Sequence, residues 1–531
     1  MKKDLVERLV PCSLTIEEIE KRYIPRQQDL IVTRFAPSPT GYMHIGGVWT
    51  SILTERLAHS KTIGNKNGVC FLRIEDTDQK REVKEAVGII SNTLDYLGIE
   101  FDEGVGRGGD YGSYTQSERA DIYKAYIQKL LIEDKAYPSF MSHDELAKMR
   151  EEQEKMKLRT GLYGHWAKER DLTDEQVEEY LKQGKSYTIN FKATGDCKNR
   201  IPINDLVKGK RMLPENDLDV VILKASGLPT YHFAHIIDDH LMGTTHVNRT
   251  DEWFISTPLH IQMFQAMGWQ PPYYLQPAPL QKMDSGIKRK LSKRKDPEAD
   301  FRYFMEQGYP KEAIIDYIMN LLNSNYEDWR KANPKTDWKE FDFDYKKINE
   351  SGALLDFPKL DNITKNFVAT LTAEEFYKRM LEWSKEFNSN DLYPKLVNNK
   401  EQFIKIFSIE RGGEKVRKDY GKFSKVWEQV DFFFDFIPLE NNFKEITDDY
   451  LKDYNWNSTK EEWFEYMKKG AEKYGYCINQ KEFDVTKHKG KMGDFVNIFR
   501  VLITGRTNSP DLYSIINVLG KSEVKNRLGI K

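Results

Sequence analysis

Residues 30–47, Leu-Ile-Val-Thr-Arg-Phe-Ala-Pro-Ser-Pro-Thr-Gly-Tyr-Met-His-Ile-Gly-Gly, constrain this chain more than any other stretch. Leu30 to Phe35 is an apolar, β-branched run and reads as a buried strand. Pro37, Pro39 and Gly41 break it into a rigid loop. His44-Ile45-Gly46-Gly47 then opens a helix that continues through Ile52, Leu53 and Leu57. A strand feeding a helix start of this kind can hold phosphate. The first helical amides have no partner within the helix, and the dipole there favours negative charge. Gly46 and Gly47 leave room for a nucleotide against the backbone, and His44 can donate to a phosphate. Neither G-x-G-x-x-G nor G-x-x-x-x-G-K-[ST] is present here. Alone, His44 reads equally well as a cap. A second segment, Lys290-Leu291-Ser292-Lys293-Arg294, shifts the reading. In isolation that segment is a solvated basic run or a nuclear address.

Gly68 to Ile74 is a second apolar strand, ending in Glu75-Asp76-Thr77-Asp78, and Val83 to Leu97 has helical periodicity. Strand, helix, strand, helix predicts a parallel sheet with helices on its faces, with ligands beyond the carboxyl ends of the strands. Arg34 and Glu75 fall near two such ends. Gln116 to Glu133 and His143 to Arg159 read as helices, Thr188 to Phe191 and Leu218 to Lys224 as strands. Residues 125–210 look like an insertion in the nucleotide fold. Asp251 to Met267 is expected to be one helix, capped by Thr250 or Asp251. Beyond Lys295 the pattern is helical, including Lys311 to Leu322, Thr372 to Phe387 and Tyr420 to Phe434. No internal repeat or low-complexity tract stands out.

A length of 531 residues suggests three or four domains. The net charge of −2 means that nucleic acid must be met by local patches rather than by the overall field. No apolar run is long enough to span a bilayer. Residues 1–29 are an extension ahead of the first strand; its first eight residues read as a surface helix, and Thr15 to Tyr23 as a helix packed on the body. Cys12, Cys70, Cys197 and Cys477 are scattered without C-x-x-C spacing, which argues against a disulfide framework or a zinc site and for a reducing cytoplasm.

His-Ile-Gly-x after the first strand, with Lys-Leu-Ser-Lys-Arg far downstream, resembles a class I aminoacyl-tRNA synthetase. Arg34 to Gly41, Arg73-Ile74-Glu75-Asp76-Thr77-Asp78, Tyr231-His232-Phe233-Ala234-His235, Asp238 to Gly243 and Leu502-Ile503-Thr504-Gly505-Arg506 look like the bacterial glutamyl-tRNA synthetase family. The resemblance covers nearly the whole chain apart from residues 1–29. It implies an α/β, Rossmann-like catalytic domain over 30–300, with an acceptor-end-binding domain inserted at 125–210. All-α stem-contact (301–375) and anticodon-binding (376–531) domains would follow. The implied activity is glutamate–tRNA ligase: ATP activates L-glutamate to an adenylate, and the terminal ribose of tRNA(Glu) takes the glutamyl group. The implied partners are tRNA(Glu), L-glutamate and ATP with Mg2+, for a cytoplasmic monomer with no membrane contact. Some family members carry zinc on cysteines that follow an Ala-Tyr pair; here Ala136-Tyr137 leads into Pro138-Ser139-Phe140 without thiolates, so no zinc is expected.

Roles follow residue by residue from the resemblance. His44, Lys290 and Lys293 are the expected catalytic groups, with His44 on the α-phosphate and Lys293 on the departing pyrophosphate. His44, Gly46, Gly47, Lys293 and, less directly, Glu252 are expected around ATP. Gly47 stands at the fourth position of His-Ile-Gly-His, which removes one donor to the ribose. The glutamate pocket is expected from Arg34, Ser38, Glu75, Tyr231, His235 and Arg249: arginine forks for the carboxylates, Glu75 for the ammonium. Many relatives have asparagine where His235 stands. Asp76, Asp78, Asp238 and Asp239 lack the spacing of a Ca2+ loop and read as partners for arginines; no resident metal is expected. For tRNA, the basic clusters at 415–418 and 487–491 can hold phosphates, and Arg417 with Tyr420 and Phe423 suits unpaired bases.

Overall fold

A strand lying at a point where the chain reverses its order across a sheet creates a crevice beside its carboxyl end. In the computed structural model that strand is β1 (Val32–Phe35), buried at all four positions. Residues 1–60, 68–78, 83, 85–292, 294–413, 416–452 and 454–530 are described. Lys293 and Lys415 lie outside them.

The remaining strands are β2 (Val69–Leu72), β3 (Glu103–Gly104), β4 (Ala136–Ser139), β5 (Thr188–Phe191), β6 (Arg200–Asp205), β7 (Gly209–Pro214), β8 (Val220–Leu223), β9 (His246–Asn248), β10 (Tyr273–Leu275), β11 (Gln281–Asp284) and β12 (Ile287–Lys290). The main sheet has the order β3-β2-β1-β9-β10-β6-β7. β1 pairs in parallel with β2 on one side and with β9 on the other. The chain therefore steps outward through β2 and β3, then returns to the opposite side of β1. Only the β6–β7 hairpin at one edge is antiparallel. A separate antiparallel sheet has the order β4-β5-β8.

Two compact units emerge: Met1–Tyr303 with Ile315–Asp356, and Phe304–Ile314 with Phe357–Lys531. In the first, the extension does more than cover the surface. Helices Lys3–Leu9 and Ile16–Arg22 bury Leu5, Val6, Leu9 and Ile19 in the core that holds Ile122, Tyr126 and Val177. Thr15 and Glu18 form a reciprocal capping box on the second of these helices. In the second unit, helices such as Ala373–Phe387, Lys460–Lys473, Met492–Thr504 and Leu512–Leu528 enclose Phe376, Phe407, Phe495 and Phe499. The helix expected over Tyr420–Phe434 is broken into short turns at Phe423–Lys425, Trp427–Val430 and Asp431–Phe433. One helical face cannot bury three consecutive aromatics. Here Phe432 and Phe433 both enter the core, while Phe434 stacks on Phe403 with ring centroids 4.7 Å apart.

The helix that follows β1, Ile45–His59, ends in an ion cluster. His59 Nδ1 lies 3.1 Å from Glu55 Oε1 and Nε2 lies 3.0 Å from Asp102 Oδ2. With a carboxylate on each nitrogen, the ring is held protonated. Burial opposes that charge, but the hydrogen bonds to Asp102 and Glu55 outweigh it and raise the His59 pKa to about 9. An elevated folded-state pKa stabilises most below the unfolded value of about 6.5, and the gain is lost as pH rises through about 9. Thermal melts should thus show a loss on the order of 1 kcal/mol across that window. The His59→Gln variant should be flat over the same range; an equal slope in both proteins would place the pH dependence elsewhere.

Candidate active site

Two neighbouring cavities open beyond the carboxyl ends of β1 and β9. The first, about 410 Å3, is lined by Arg34, Ser38, Glu75, Tyr231, Arg249 and Trp253, among others. The second, about 480 Å3, is lined by His44, Gly46, Gly47, Trp49, Lys290 and Leu291, among others. Phe35, Ser38, Thr50 and Thr250 belong to both walls, so the cavities are chambers of one site.

The second chamber receives the start of the helix Ile45–His59. His44 is its N-cap: the Gly46 amide donates to His44 Nδ1 at 2.8 Å. That bond fixes the tautomer in the neutral ring, because Nδ1 must accept and Nε2 therefore carries the proton. A Cβ at Gly46 would lie 2.9 Å from His44 Nδ1, so glycine is what lets the imidazole fold back onto its own helix. At Gly47 an added Cβ would meet only ordinary contacts with Met43 and Phe35.

Lys290 ends a tight hairpin. β11 and β12 pair antiparallel through Ser285 and Gly286, whose φ values of +50° and +83° suit a two-residue turn with the twist of the strands. Behind it Asp296 gathers the segment: it accepts from Arg289 Nη1 and Nη2 at 2.7 Å each, from Lys282 at 3.1 Å and from the Ser292 amide at 2.8 Å. Arg289 and Ser292 are thereby tied down on either side of Leu291, which is buried against the chamber. Lys290 forms an ion pair with Glu252. Glu252 lies outside both chamber linings and is half exposed. Sequence reading missed the hairpin, although Ser-Gly between alternating residues was a local signal for it.

The first chamber is built on buried charge. Arg34 Nε donates to Asp239 Oδ1 at 3.2 Å, and Nη1 to the Asn248 carbonyl at 3.3 Å. Arg73, with no exposed surface, donates to Asp239 Oδ1 at 2.8 Å and to Glu75 Oε1 at 3.0 Å. Burial works against ionised Asp239, but Arg34 and Arg73 hold its pKa down at about 2. Burial pushes Glu75 upward, and Arg73 and Arg34 only partly offset it. Asp238 takes Arg119 at 2.7 Å, with Gln116 and Tyr123 at 2.9 Å each. Asp76 departs from the expected pairing with arginine: it accepts from the Ser117 amide at 2.7 Å and the Ser117 hydroxyl at 2.5 Å.

Arg249 differs from the other buried arginines. Its Nε donates to Gln276 Oε1 at 3.0 Å, Nη1 to His260 Nδ1 at 2.9 Å and Nη2 to Thr257 Oγ1 at 3.1 Å. Every one of these partners is uncharged, and Arg249 is only 6% exposed. Three of its five N–H groups are tethered in the wall, which leaves two for the chamber.

Tyr231 lines the chamber against Trp253, with ring centroids 4.4 Å apart. His235 stands elsewhere than expected. It stacks behind Tyr231 at 4.7 Å and is 1% exposed. Its Nδ1 lies 2.8 Å from the Tyr231 carbonyl, one turn earlier in the helix Tyr231–Leu241, and must donate to it. Burial drives its pKa well below the ordinary value, so Nε2 carries no proton and cannot donate to a carboxylate. In this position His235 backs the Tyr231 ring and is not among the residues that line the chamber. Trp253, His260 and Arg73 were missed as site residues. Trp253 and His260 sit in a stretch whose pattern reads as an ordinary amphipathic helix, which the structure divides into a 3-10 turn (Asp251–Ser256) and a helix (Thr257–Met267).

In the second unit Arg417 lines a cavity of about 290 Å3 with Lys365, Tyr420, Arg506 and Asn508. Arg417 also pairs with Asp419 and donates to the Ser509 carbonyl at 2.9 Å. Phe423 goes instead to the core, packed against Phe376 and Trp383. Among the described residues no group of three or more His, Cys, Asp or Glu side chains is arranged to hold a metal, and no helix is long and apolar enough to cross a membrane.

Comparison with known proteins matches residues 30–335 to the family model described as tRNA synthetases class I (E and Q), catalytic domain, and residues 375–530 to an anticodon binding domain. The chain is 40% identical to a glutamate–tRNA ligase of Clostridium beijerinckii, over 96% of this chain and 95% of that protein. It is 42% identical to one from Clostridium perfringens, over 94% of each. A crystal structure of glutamate–tRNA synthetase from Elizabethkingia anophelis superimposes with a TM-score of 0.73 at 28% identity, covering 94% of this chain and 99% of that one.

Proposed function

We infer the activity from one premise: the chain belongs to the class I tRNA synthetases of the glutamate and glutamine (E and Q) family. It is a ligase that forms an aminoacyl-tRNA, activating L-glutamate with ATP and passing it to the 3′ end of tRNA. We assign the first chamber to glutamate and the second to ATP, with tRNA(Glu) as the acceptor.

The observation that carries the choice of glutamate is Arg249. Buried charges are normally paired, and this guanidinium has only neutral partners. A ligand carboxylate supplies the missing counter-ion, through the two N–H groups left over. Glutamine would present a neutral amide. An uncompensated buried charge costs roughly 3–5 kcal/mol, enough to discriminate strongly. Arg34 serves the other carboxylate, Glu75 accepts the ammonium, and Ser38 sits at the junction where the two substrates meet. Tyr231, backed by His235, forms the wall.

In the second chamber His44 Nε2 donates to the α-phosphate, while Gly46 and Gly47 let the phosphates approach the helix amides. Lys290 and Lys293 clamp the departing pyrophosphate, and Glu252 sets Lys290 through their ion pair. Magnesium arrives with ATP and supplies charge to the phosphates; no protein cluster is assigned to it. Arg417, on a cavity with two further cations, is assigned to tRNA. We place the ligase in the cytoplasm and take it to act as a monomer.

The deciding assay is glutamate-dependent ATP–pyrophosphate exchange, with and without tRNA. Exchange is expected with glutamate and not with glutamine. The Arg249→Leu variant should lower kcat/KM for glutamate by about 10–100-fold and leave KM for ATP unchanged. Equal exchange with glutamine would overturn the assignment of the first chamber.

A further inference from the structure

Behind Arg249 the wall is a run of histidines. His260 Nδ1 lies 2.9 Å from Arg249 Nη1, and His260 Nε2 lies 2.9 Å from His232 Nδ1. Arginine can only donate, so His260 Nδ1 must accept. Its proton is then on Nε2, from which it donates to His232 Nδ1. His232 in turn must be the Nε2–H tautomer. One arginine thus fixes the protons of two rings. His235 completes the group, edge-on to His260 at 4.5 Å. His260 has no exposed surface, whereas His232 is half-buried and offers the path to solvent.

We propose that His260 is a positioning residue for Arg249, and that the hydrogen bond between His232 and His260 couples glutamate binding to pH. The proposal rests on the assignment of Arg249 to the glutamate carboxylate. When His232 takes a proton from water, both its nitrogens become donors. It can no longer accept from His260 Nε2. The Nδ1–H of His232 then opposes the Nε2–H of His260 and pushes that ring from its place beside Arg249. The fork loses one of its three tethers and its register toward the chamber. No bond other than N–H is exchanged, and the proton comes from solvent.

The charged and titratable groups that face His260 come from every neighbouring element. The helix Tyr231–Leu241 supplies Tyr231, His232 and His235; the segment after β9 supplies Arg249; β1 supplies Arg34. Tyr274 of β10 lies under Arg249, 4.8 Å from its guanidinium. Asp239 acts on His235 from the same helix. Burial lowers the pKa of His260, and the neighbouring His235, Arg249 and His232 lower it further. Burial, then Arg249, lowers that of His232. Both rings are therefore neutral at physiological pH and gain a proton only on acidification, which is the direction in which glutamate binding weakens.

The test measures KM for glutamate and for ATP, and kcat, in ATP–pyrophosphate exchange with tRNA present, between pH 5.5 and 8. The wild-type KM for glutamate should rise as pH falls, while KM for ATP stays level. His260→Phe keeps ring volume but removes the acceptor; it should raise KM for glutamate roughly 10-fold at pH 7.5 with kcat little changed. His260→Asn offers an amide oxygen close to the place of Nδ1 and cannot take a proton; it should restore most of the wild-type KM and abolish the pH dependence. A wild-type KM that is flat with pH, or a His260→Asn KM that still climbs in acid, overturns the coupling. Equal increases in KM for both substrates in His260→Phe would mark a merely structural role. Arg249→Leu, measured alongside, separates the two levels of inference. If it leaves KM for glutamate unchanged, the assignment of Arg249 fails; if it raises KM and neither His260 variant does, only the positioning role fails.

Discussion

Arg73→Met is expected to cost about 3–5 kcal/mol of stability, with no direct change in a substrate contact. Arg73 has no exposed surface and lies among three carboxylates: Asp239 at 2.8 Å, Glu75 at 3.0 Å and Asp238 at 3.8 Å. Without it Glu75 loses its hydrogen-bonded cation, and Asp239 keeps Arg34 at the longer distance of 3.2 Å and the neutral Thr244 hydroxyl at 3.4 Å. Methionine fills the volume but leaves negative charge uncompensated where water cannot reach. Urea melts of the full chain would measure the loss. The second-site change Asp239→Asn, added to Arg73→Met, should recover part of it by removing one of the stranded charges. A single variant within about 1 kcal/mol of the parent would show that the remaining arginines already neutralise the cluster, against this account.

His44→Ala should lower the rate of glutamate activation by about 100–1,000-fold, as the loss of a positioned transition-state donor does elsewhere. Alanine removes two things at once. It takes away the cap on the Gly46 amide, worth roughly 1 kcal/mol of stability, and the Nε2 donor. His44→Asn separates them. Asparagine caps helices well, so its melt should match the parent, yet its amide is too short to replace Nε2 and the rate should stay low. Single-turnover pyrophosphate release gives the rate without interference from tRNA release. An alanine variant within threefold of the parent would remove His44 from the chemistry and leave it a cap.

The sequence exposed those parts of the site that depend on local chain chemistry. The run Leu30–Phe35 and the breaks at Pro37, Pro39 and Gly41 placed β1, its loop and the helix start, because strand burial and turn residues leave marks within a few positions. Parts that depend on long-range approach left no such mark. His260 occupies a helix position that reads as core, and its contact with Arg249 exists only because β9 delivers the chain beside that helix. His235 was legible as a site residue, but its helix supplied a carbonyl one turn back and so settled which of its nitrogens has a proton. Tyr420 to Phe434 read as one helix, and its local pattern did not show that the chain must bend to bury three consecutive aromatics.

The packing of the N-terminal extension has a consequence for synthesis. Its helices carry Leu5, Leu9 and Ile19 into a core whose other wall includes Tyr126, Val177 and Phe191. The Lys2 amide donates to Asp174, 172 residues later, and Tyr187 donates to the Leu9 carbonyl across 178. The first docking partner of these helices is the helix Ala120–Ile132, where Tyr126 donates to Glu20 across 106 residues and Gln128 to the Val10 carbonyl across 118, so they wait until that helix has been made. At about 5–20 residues per second that interval is roughly 5–24 s, long compared with helix formation and ample for a chaperone to find the waiting leucines.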